Sequence, residues 1–207
     1  MSGIHPTAEV EAGVRVGSGT AVWSYAHLRG PDTEIGVDCI VGERTYIAYG
    51  VRIGDRVKLN AGVYVCTGVT IGTGVMIGAG VVFTNDRHPR ATTPDLGTLR
   101  ASAPDEHTQP TTVEDGATIG AGSVIGCDLT IGRFAMIGMG AVVTRSVAPF
   151  HLVVGQPARP VGIVSRAGAP LMRFSGARPP DREDLVCSES GLRYAVRGGQ
   201  VEELNPP

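Results

Sequence analysis

Residues 50–83 read GVRIGDRVKLNAGVYVCTGVTIGTGVMIGAGVVF, and within them a large apolar anchor returns at every sixth place: Ile53, Leu59, Val65, Ile71, Ile77 and Phe83. A smaller apolar residue stands four places after each, as at Val57, Val63, Val69 and Val75, and glycine often follows the anchor directly, as at Gly54, Gly72 and Gly78. Towards the N-terminus the same beat runs through Ile4, Val10, Val16, Val22 and Leu28, is shifted by one extra residue, and resumes at Ile35, Val41 and Ile47. Towards the C-terminus it returns at Val113, Ile119, Ile125, Ile131, Ile137 and Val143.

A period of six fits neither a helical face nor a long alternating strand. It fits a short strand and a tight turn, repeated on the three sides of a triangular prism, with the anchor and the fourth residue after it pointing inward. The expected fold is therefore all-β, a parallel β-helix in which three hexads close one coil. Six to seven coils stacked at ~4.8 Å would stand on the order of 30 Å tall. Handedness does not follow from the period, since parallel crossovers are ordinarily right-handed.

Composition supports such a core. Aromatic residues are only 5% of the 207, while glycine supplies 30 without the every-third spacing of collagen, so the interior must use small and β-branched side chains with many tight turns. A formal charge of -2 argues against non-specific nucleic-acid binding. No apolar run reaches the ~20 residues of a membrane span, and Met1-Ser2-Gly3-Ile4-His5-Pro6 lacks the layout of a signal peptide, so a cytoplasmic location is expected. Cys39, Cys66, Cys127 and Cys187 show no metal-ligand spacing and read as reduced thiols.

The beat fails between Thr84 and Thr112, where Pro89, Asp95, Ala101 and His107 occupy the anchor places. Pro89, Pro94, Pro104 and Pro110 argue against a hidden coil, because proline cannot donate to a ladder. The interval reads as one external loop, 84–112, and as a functional one, since Phe83-Thr84-Asn85-Asp86-Arg87-His88-Pro89-Arg90 leaves the coil rich in polar groups. The helix is expected to end near Val143 and its domain near 165. A C-terminal extension, 166–207, would follow, with a small hairpin joining Leu192-Tyr194-Val196 to Val201 across Arg197-Gly198-Gly199-Gln200.

Four segments carry a family resemblance: Val22-Trp23-Ser24-Tyr25-Ala26-His27-Leu28; Phe83-Thr84-Asn85-Asp86 with Pro89-Arg90; Gly116-Ala117-Thr118-Ile119-Gly120-Ala121; and Gly155-Gln156-Pro157-Ala158-Arg159. Over about residues 4–165 the chain resembles the nucleotide-sugar N-acetyltransferases. These are left-handed β-helix enzymes that acetylate the 3-amino group of UDP- or dTDP-linked amino sugars. The hexads alone are shared with serine, galactoside, lipid A and antibiotic acyltransferases; the Phe-Thr-Asn exit together with Gly-Gln-Pro-Ala is more specific.

The resemblance implies a left-handed coil, a homotrimer, and acetyl-coenzyme A in a groove between neighbouring prisms, with no metal. By motif, Asn85 stands at the catalytic exit, and His88 is the candidate base if one is needed. On the substrate side the candidates are Asp86, Arg90 (for phosphate), Glu43 (for the sugar amine) and His27. For the coenzyme they are Gly120, Ala121, Gly138, Ala141, Arg145 and Arg159. Some relatives carry paired cysteines near the C-terminus; here Ser188-Glu189-Ser190 follows Cys187, so no zinc knuckle is expected. Alternatives are an acyltransferase on another small acceptor with His88 as general base, a zinc carbonic anhydrase and a non-catalytic scaffold. The anhydrase would need three converging histidines, and His5, His27, His88, His107 and His151 show no suitable spacing. A scaffold has no use for the polar loop.

Overall fold

The structure, a computed structural model, describes residues 3–207 and is a parallel β-helix; its strands are two or three residues long until the last coil, and no helix occurs among the described residues. The first face stacks Gly3–Ile4, Ala21–Val22, Ile40–Val41, Lys58–Leu59, Met76–Ile77, Thr118–Ile119 and Met136–Ile137. The second stacks Glu9–Val10, His27–Leu28, Tyr46–Ile47, Tyr64–Val65, Val82–Phe83, Val124–Ile125 and Val142–Val143. The third runs from Arg15–Val16 through Glu34–Ile35, Arg52–Ile53, Val69–Ile71 and Thr111–Val113 to Leu129–Ile131. Each coil donates backbone hydrogen bonds to the next, as from Lys58 N to the Val75 carbonyl (3.0 Å) and Asn60 N to that of Ile77 (2.9 Å).

The anchors fill the prism. Leu28, Ile47, Ile77, Ile119, Ile125, Ile131 and Ile137 are buried, and each contributes roughly 1.5–3 kcal/mol by leaving water. Ile4, in the first described coil, is 50% exposed. Where the inward partner is a hydroxyl residue, it finds a carbonyl in the next coil: Thr33 Oγ1 donates to Ala48 O (3.1 Å), Thr45 to Asn60 O (3.0 Å), Thr111 to Gly126 O (3.2 Å) and Ser123 Oγ to Gly138 O (3.1 Å). These bonds let polar side chains sit in an apolar column without the penalty of an unmade hydrogen bond.

Two corner positions make different demands on the residue that fills them. Where glycine directly follows the anchor, the next coil lies against it: a Cβ on Gly78 would sit 2.4 Å from Ala121 N; in other coils, as at Glu11, Trp23 and Arg29, the same place takes a larger side chain. The left-handed backbone falls two places later. Glycine takes it in some coils, but Asp38 (φ 56), Arg44 (φ 54), Asp128 (φ 57) and Phe134 (φ 54) take it in others.

Two sequence boundaries need correction. The external loop returns two residues earlier than 84–112 implies, because Thr111 and Thr112 already belong to the strand Thr111–Val113. The helix also does not end near Val143. Val147 bridges in parallel to Ile131, and Leu152-Val153 pairs with Met136-Ile137, so stacking continues for two more rungs. Those rungs are reached with two residues fewer than a normal coil, which breaks the six-residue beat while keeping the hydrogen-bond ladder.

The chain then reverses. Ala158–Val164 runs antiparallel to His151–Gly155, Pro170–Arg173 pairs onto it, and Arg182–Val186, Arg193–Arg197 and Gln200–Glu203 make a separate three-stranded sheet. A second small core joins Phe150 and Ile163 to Cys187, Tyr194 and Val196. Glu203, its side chain only 6% exposed, ties the tail to the prism by accepting hydrogen bonds from Arg133 (2.9 Å) and from the Arg166 guanidinium. Arg166 in turn lies over the Phe134 ring, 4.5 Å from its centre.

Burial pushes the Glu203 carboxyl up, yet the hydrogen bond and charge of Arg166, joined by Arg133, outweigh it and hold the group below the 4.5 of an ordinary glutamate. A carboxylate depressed in the folded state adds stability above its unfolded pKa and loses it as pH falls through the folded value. Thermal melts should therefore show Glu203→Gln less stable than wild type at pH 7, on the order of 1–2 kcal/mol. The gap should close as pH falls below about 4.5; a constant gap from pH 7 to 3 would contradict this role.

Candidate active site

The outer side of the second face carries the residue before each anchor, and coil stacking lines these residues up. Tyr46 and Tyr64 stack with ring centres 5.1 Å apart and planes 6° from parallel. His27 meets Tyr46 edge-on at 5.5 Å. The rise of one coil, ~4.8 Å, is close to the natural spacing of stacked rings, so the column needs little adjustment to form.

The loop leaves at the corner beyond Phe83. Asn85 is pinned there twice: its Nδ2 donates to the Thr67 carbonyl (3.2 Å), and its own carbonyl accepts from Gln109 N (2.8 Å), which joins the outgoing and returning strands of the loop. Asp86 accepts from His88 N (2.7 Å), Arg87 pairs with Asp128, and Arg100 donates to Asp105 (2.8 Å) and to the His88 carbonyl (3.1 Å). So braced, the loop stands over the second face and encloses a cleft of about 510 Å³. Arg29, Tyr46, Tyr64 and Thr67 form its coil wall; Asn85, Asp86, Arg90, Arg100 and Asp105 form its loop wall.

The lining of this cleft brings together three guanidinium groups, of Arg29, Arg90 and Arg100, and two carboxylates, of Asp86 and Asp105. Asp105 raises the pKa of Arg100 by accepting its hydrogen bond, and Asp105 is itself held low, first by the His107 backbone N–H and then by Arg100. Arg29 is raised by its hydrogen bond to Tyr46 and by the nearby Glu11 carboxylate. Arg90 donates to the Pro89 carbonyl (2.8 Å) and pairs with no carboxylate among the described residues. Such an arrangement suits an anion carrying a flat ring, the guanidinium groups taking the charge and the tyrosines the ring.

Of the residues singled out from sequence, Asn85, Asp86 and Arg90 meet in this cleft. His88 does not line it; its ring faces His107 at 5.6 Å on the exposed loop. His27 lies a rung away from Tyr46 with its Nε2 2.9 Å from Glu11 Oε1, and Glu43 sits exposed on the corner between the first and second faces. Glu9, Glu11 and His27 bring ligand-type atoms within 4.8 Å of one another, but the Arg29 guanidinium donates to the same Glu11 oxygen (3.2 Å), where a metal cation would have to compete with it. Arg29, Tyr46, Tyr64, Thr67 and Arg100 were not picked out from sequence.

The coenzyme candidates separate into three groups. Gly120, Ala121 and Gly138 follow one another up the corner between the first and second faces, where coil stacking already explains the glycines: a Cβ on Gly120 would lie 2.5 Å from Met139 N, and one on Gly138 2.7 Å from Val154 Cγ1. Ala141 points into the prism and is 0% exposed, so the expectation that it touches the coenzyme fails. Arg145 and Arg159 converge on a second cleft of about 460 Å³ at the C-terminal end, floored by Val143, Val147 and Val153.

The bacterial transferase hexapeptide (six repeats) pattern matches residues 50–85 and 110–145. Curated relatives include the dTDP-3-amino-3,6-dideoxy-α-D-galactopyranose 3-N-acetyltransferase of Aneurinibacillus thermoaerophilus, 38% identical over 94 residues, which are 45% of this chain and 45% of the relative. Serine acetyltransferase 4 of Arabidopsis thaliana is 27% identical over 161 residues, 78% of this chain and 29% of the relative. The chain spans less than half the length of the curated relatives it matches. Among solved structures, a variant of AntD, an N-acyltransferase from Bacillus cereus crystallised with dTDP and coenzyme A, matches with a TM-score of 0.63 over 74% of this chain and 85% of that one. At 18% identity that likeness is one of fold.

Cys66 also lines the cleft, and burial pushes its thiol up to about 12, so it is neutral at physiological pH and a poor nucleophile. Iodoacetamide at pH 8 should leave Cys66 unlabelled in the native protein and label it only after unfolding, read by peptide mass mapping. Rapid native labelling of Cys66 would show that its burial is wrong.

Proposed function

Because this chain is a hexapeptide-repeat left-handed β-helix related to the acyltransferases of that fold, we propose that it is a coenzyme A-dependent acyltransferase acting on a nucleotide-linked amino sugar. In its finer form the reading is transfer of acetyl from acetyl-coenzyme A to the 3-amino group of a UDP- or dTDP-linked sugar, in a homotrimer. The observation that carries it is the cleft under the loop, where an asparagine fixed at a rigid strand end adjoins stacked tyrosines and the Arg90 guanidinium, which pairs with no carboxylate among the described residues. A nucleoside diphosphate has the two features such walls bind, a phosphate anion and a planar base. The curated 3-N-acetyltransferase relative supports the choice of acceptor.

The chemistry asks for a neutral amine, a thioester carbonyl in reach and a route for one proton. The amine nitrogen attacks the thioester carbon, the C–N bond forms, and the tetrahedral intermediate collapses with cleavage of the C–S bond. The amine proton passes to the departing thiolate or to water, so the products are the amide and free coenzyme A. Asn85 cannot be a base. With one Nδ2 hydrogen given to Thr67, it keeps a second N–H and its Oδ1, enough to accept from the amine and donate to the thioester oxygen or a water. Orientation of this kind lowers the barrier by removing the entropy of bringing two reactants together. The sugar amine, surrounded by electron-withdrawing substituents, is less basic than lysine and is partly neutral near pH 8.

His88 is the competing base, and its place outside the cleft wall favours the substrate-assisted route. The test is kcat against pH for wild type, Asn85→Ala and His88→Ala on 3-amino nucleotide sugars. Asn85→Ala should lower kcat by about 10²–10³ with acetyl-coenzyme A still bound, and His88→Ala should lower it far less. If His88→Ala instead abolishes turnover and removes an enzyme-side limb of the pH profile, His88 is the base. Light scattering should give a mass near three chains of 21.5 kDa; full activity at the mass of one chain would refute a site shared between subunits.

A further inference from the structure

Arg29 reaches the cleft from the turn beyond His27–Leu28, and its placement depends on a residue that does not line the cleft. Glu11, one coil earlier, directs both carboxylate oxygens to this purpose. Oε1 accepts from Arg29 Nε (3.2 Å) and lies 2.9 Å from His27 Nε2, while Oε2 accepts from the Gly30 backbone N–H (3.1 Å). Held at Nε, the guanidinium donates from its far side to the Tyr46 hydroxyl (3.3 Å) and lies over the Tyr49 ring, 5.6 Å from its centre. Tyr46 is the ring on which Tyr64 stacks. One carboxylate therefore sets the position of a charged wall residue, of the turn that bears it, and of the foot of the aromatic column.

We infer that Glu11 is a positioning residue, which holds the Arg29 guanidinium in the cleft ready for the phosphate of a nucleotide-linked acceptor; this rests on the acceptor reading of the cleft given above. A long arginine side chain left free must be ordered by each incoming ligand, and that ordering is subtracted from affinity. Glu11 orders it in advance. Arg29 has its Nε used by Glu11 and one terminal nitrogen on Tyr46, so its remaining terminal nitrogen stays available for an anion.

The test measures affinity for UDP and dTDP by calorimetry, and KM for acetyl-coenzyme A, in wild type, Glu11→Ala, Glu11→Gln, Arg29→Ala and Glu11→Ala/Arg29→Ala. Glu11→Ala should weaken nucleoside diphosphate binding roughly three- to tenfold, leave the acetyl-coenzyme A KM unchanged, and add nothing once Arg29 is gone. Glu11→Gln, which keeps the shape and one acceptor oxygen, should fall between wild type and Glu11→Ala. If Glu11→Ala does not fold, Glu11→Gln decides alone: wild-type affinity in it overturns the inference. Additive losses in the double variant, or an equal loss of acetyl-coenzyme A affinity, overturn it too. Wild-type protein that binds acetyl-coenzyme A but neither UDP nor dTDP overturns the acceptor reading of the cleft itself, a result separate from any change between wild type and variants.

Discussion

Every coil of this protein is hydrogen-bonded to the next through its backbone at a fixed rise, and that ladder constrains each position to stand directly above its counterpart. Lys58 faces Ile40 on one side and Met76 on the other, and Tyr64 faces Tyr46 and Val82. Side chains consequently form columns, and a column tolerates only residues that suit repetition at ~4.8 Å. Inside the prism this selects branched aliphatics and hydroxyls that reach a carbonyl in the next coil. At the corner after the anchor it leaves no room for a Cβ where glycine stands, as at Gly54, Gly78 and Gly120. On the outer faces it stacks whatever is present, which is how the rings of Tyr46 and Tyr64 come to lie parallel, one above the other.

The same ladder allows a large insertion. Met76 pairs with Thr118 and Val82 with Val124 in the register used everywhere else, although the whole loop lies between them. The loop therefore leaves and re-enters a scaffold that does not yield, and Asn85 inherits that rigidity through Thr67 below it and Gln109 beside it. The cleft draws its coil wall from three successive coils, with Arg29, Tyr46 and Tyr64, and its other wall from the insertion. A site assembled in this way keeps its geometry because the coil spacing does, while the loop supplies the chemical variety.

Much of this was legible in the order of residues. The anchors from Val22 to Val143 could be read off a six-residue beat because an aliphatic or Phe83 returns at each sixth place, and the loop showed as the interval where Pro89, Asp95, Ala101 and His107 took those places. Asn85, Asp86 and Arg90 were legible because they follow the last anchor before that break. Arg29, Tyr46 and Tyr64 were not. They occupy outward positions that the beat treats as solvent, and only comparison at the spacing of a whole coil, interrupted by the extra residue before Ile35, brings His27, Tyr46 and Tyr64 into one column. Ala141 was misread although the beat itself, four places after Ile137, places it inside. The last two rungs were hidden because a shortened turn shifts the beat while the hydrogen bonds continue through Val147 and Val153. Handedness lay outside the period altogether and entered through the resemblance.

The outer column of the second face also changes character along its length, and on the proposed reading this bears on how two substrates meet. Glu9, His27, Tyr46 and Tyr64 stand at one end; Val82, Val124 and Val142 continue the column beyond the loop exit. Charge and aromatic rings thus lie on one side of Asn85 and a strip of valines on the other. The corner of Gly120, Ala121 and Gly138 borders that strip, and the cleft with Arg145 and Arg159 lies at its end. A nucleotide-linked acceptor entering from the tyrosine side and a donor with a long, mostly apolar arm lying along the valine side would meet at Asn85, the residue pinned between the two. A single prism leaves the valine strip open to water. A neighbouring chain laid against it would close the groove, so on the acyl-transfer reading an assembly of chains has a part in forming the site.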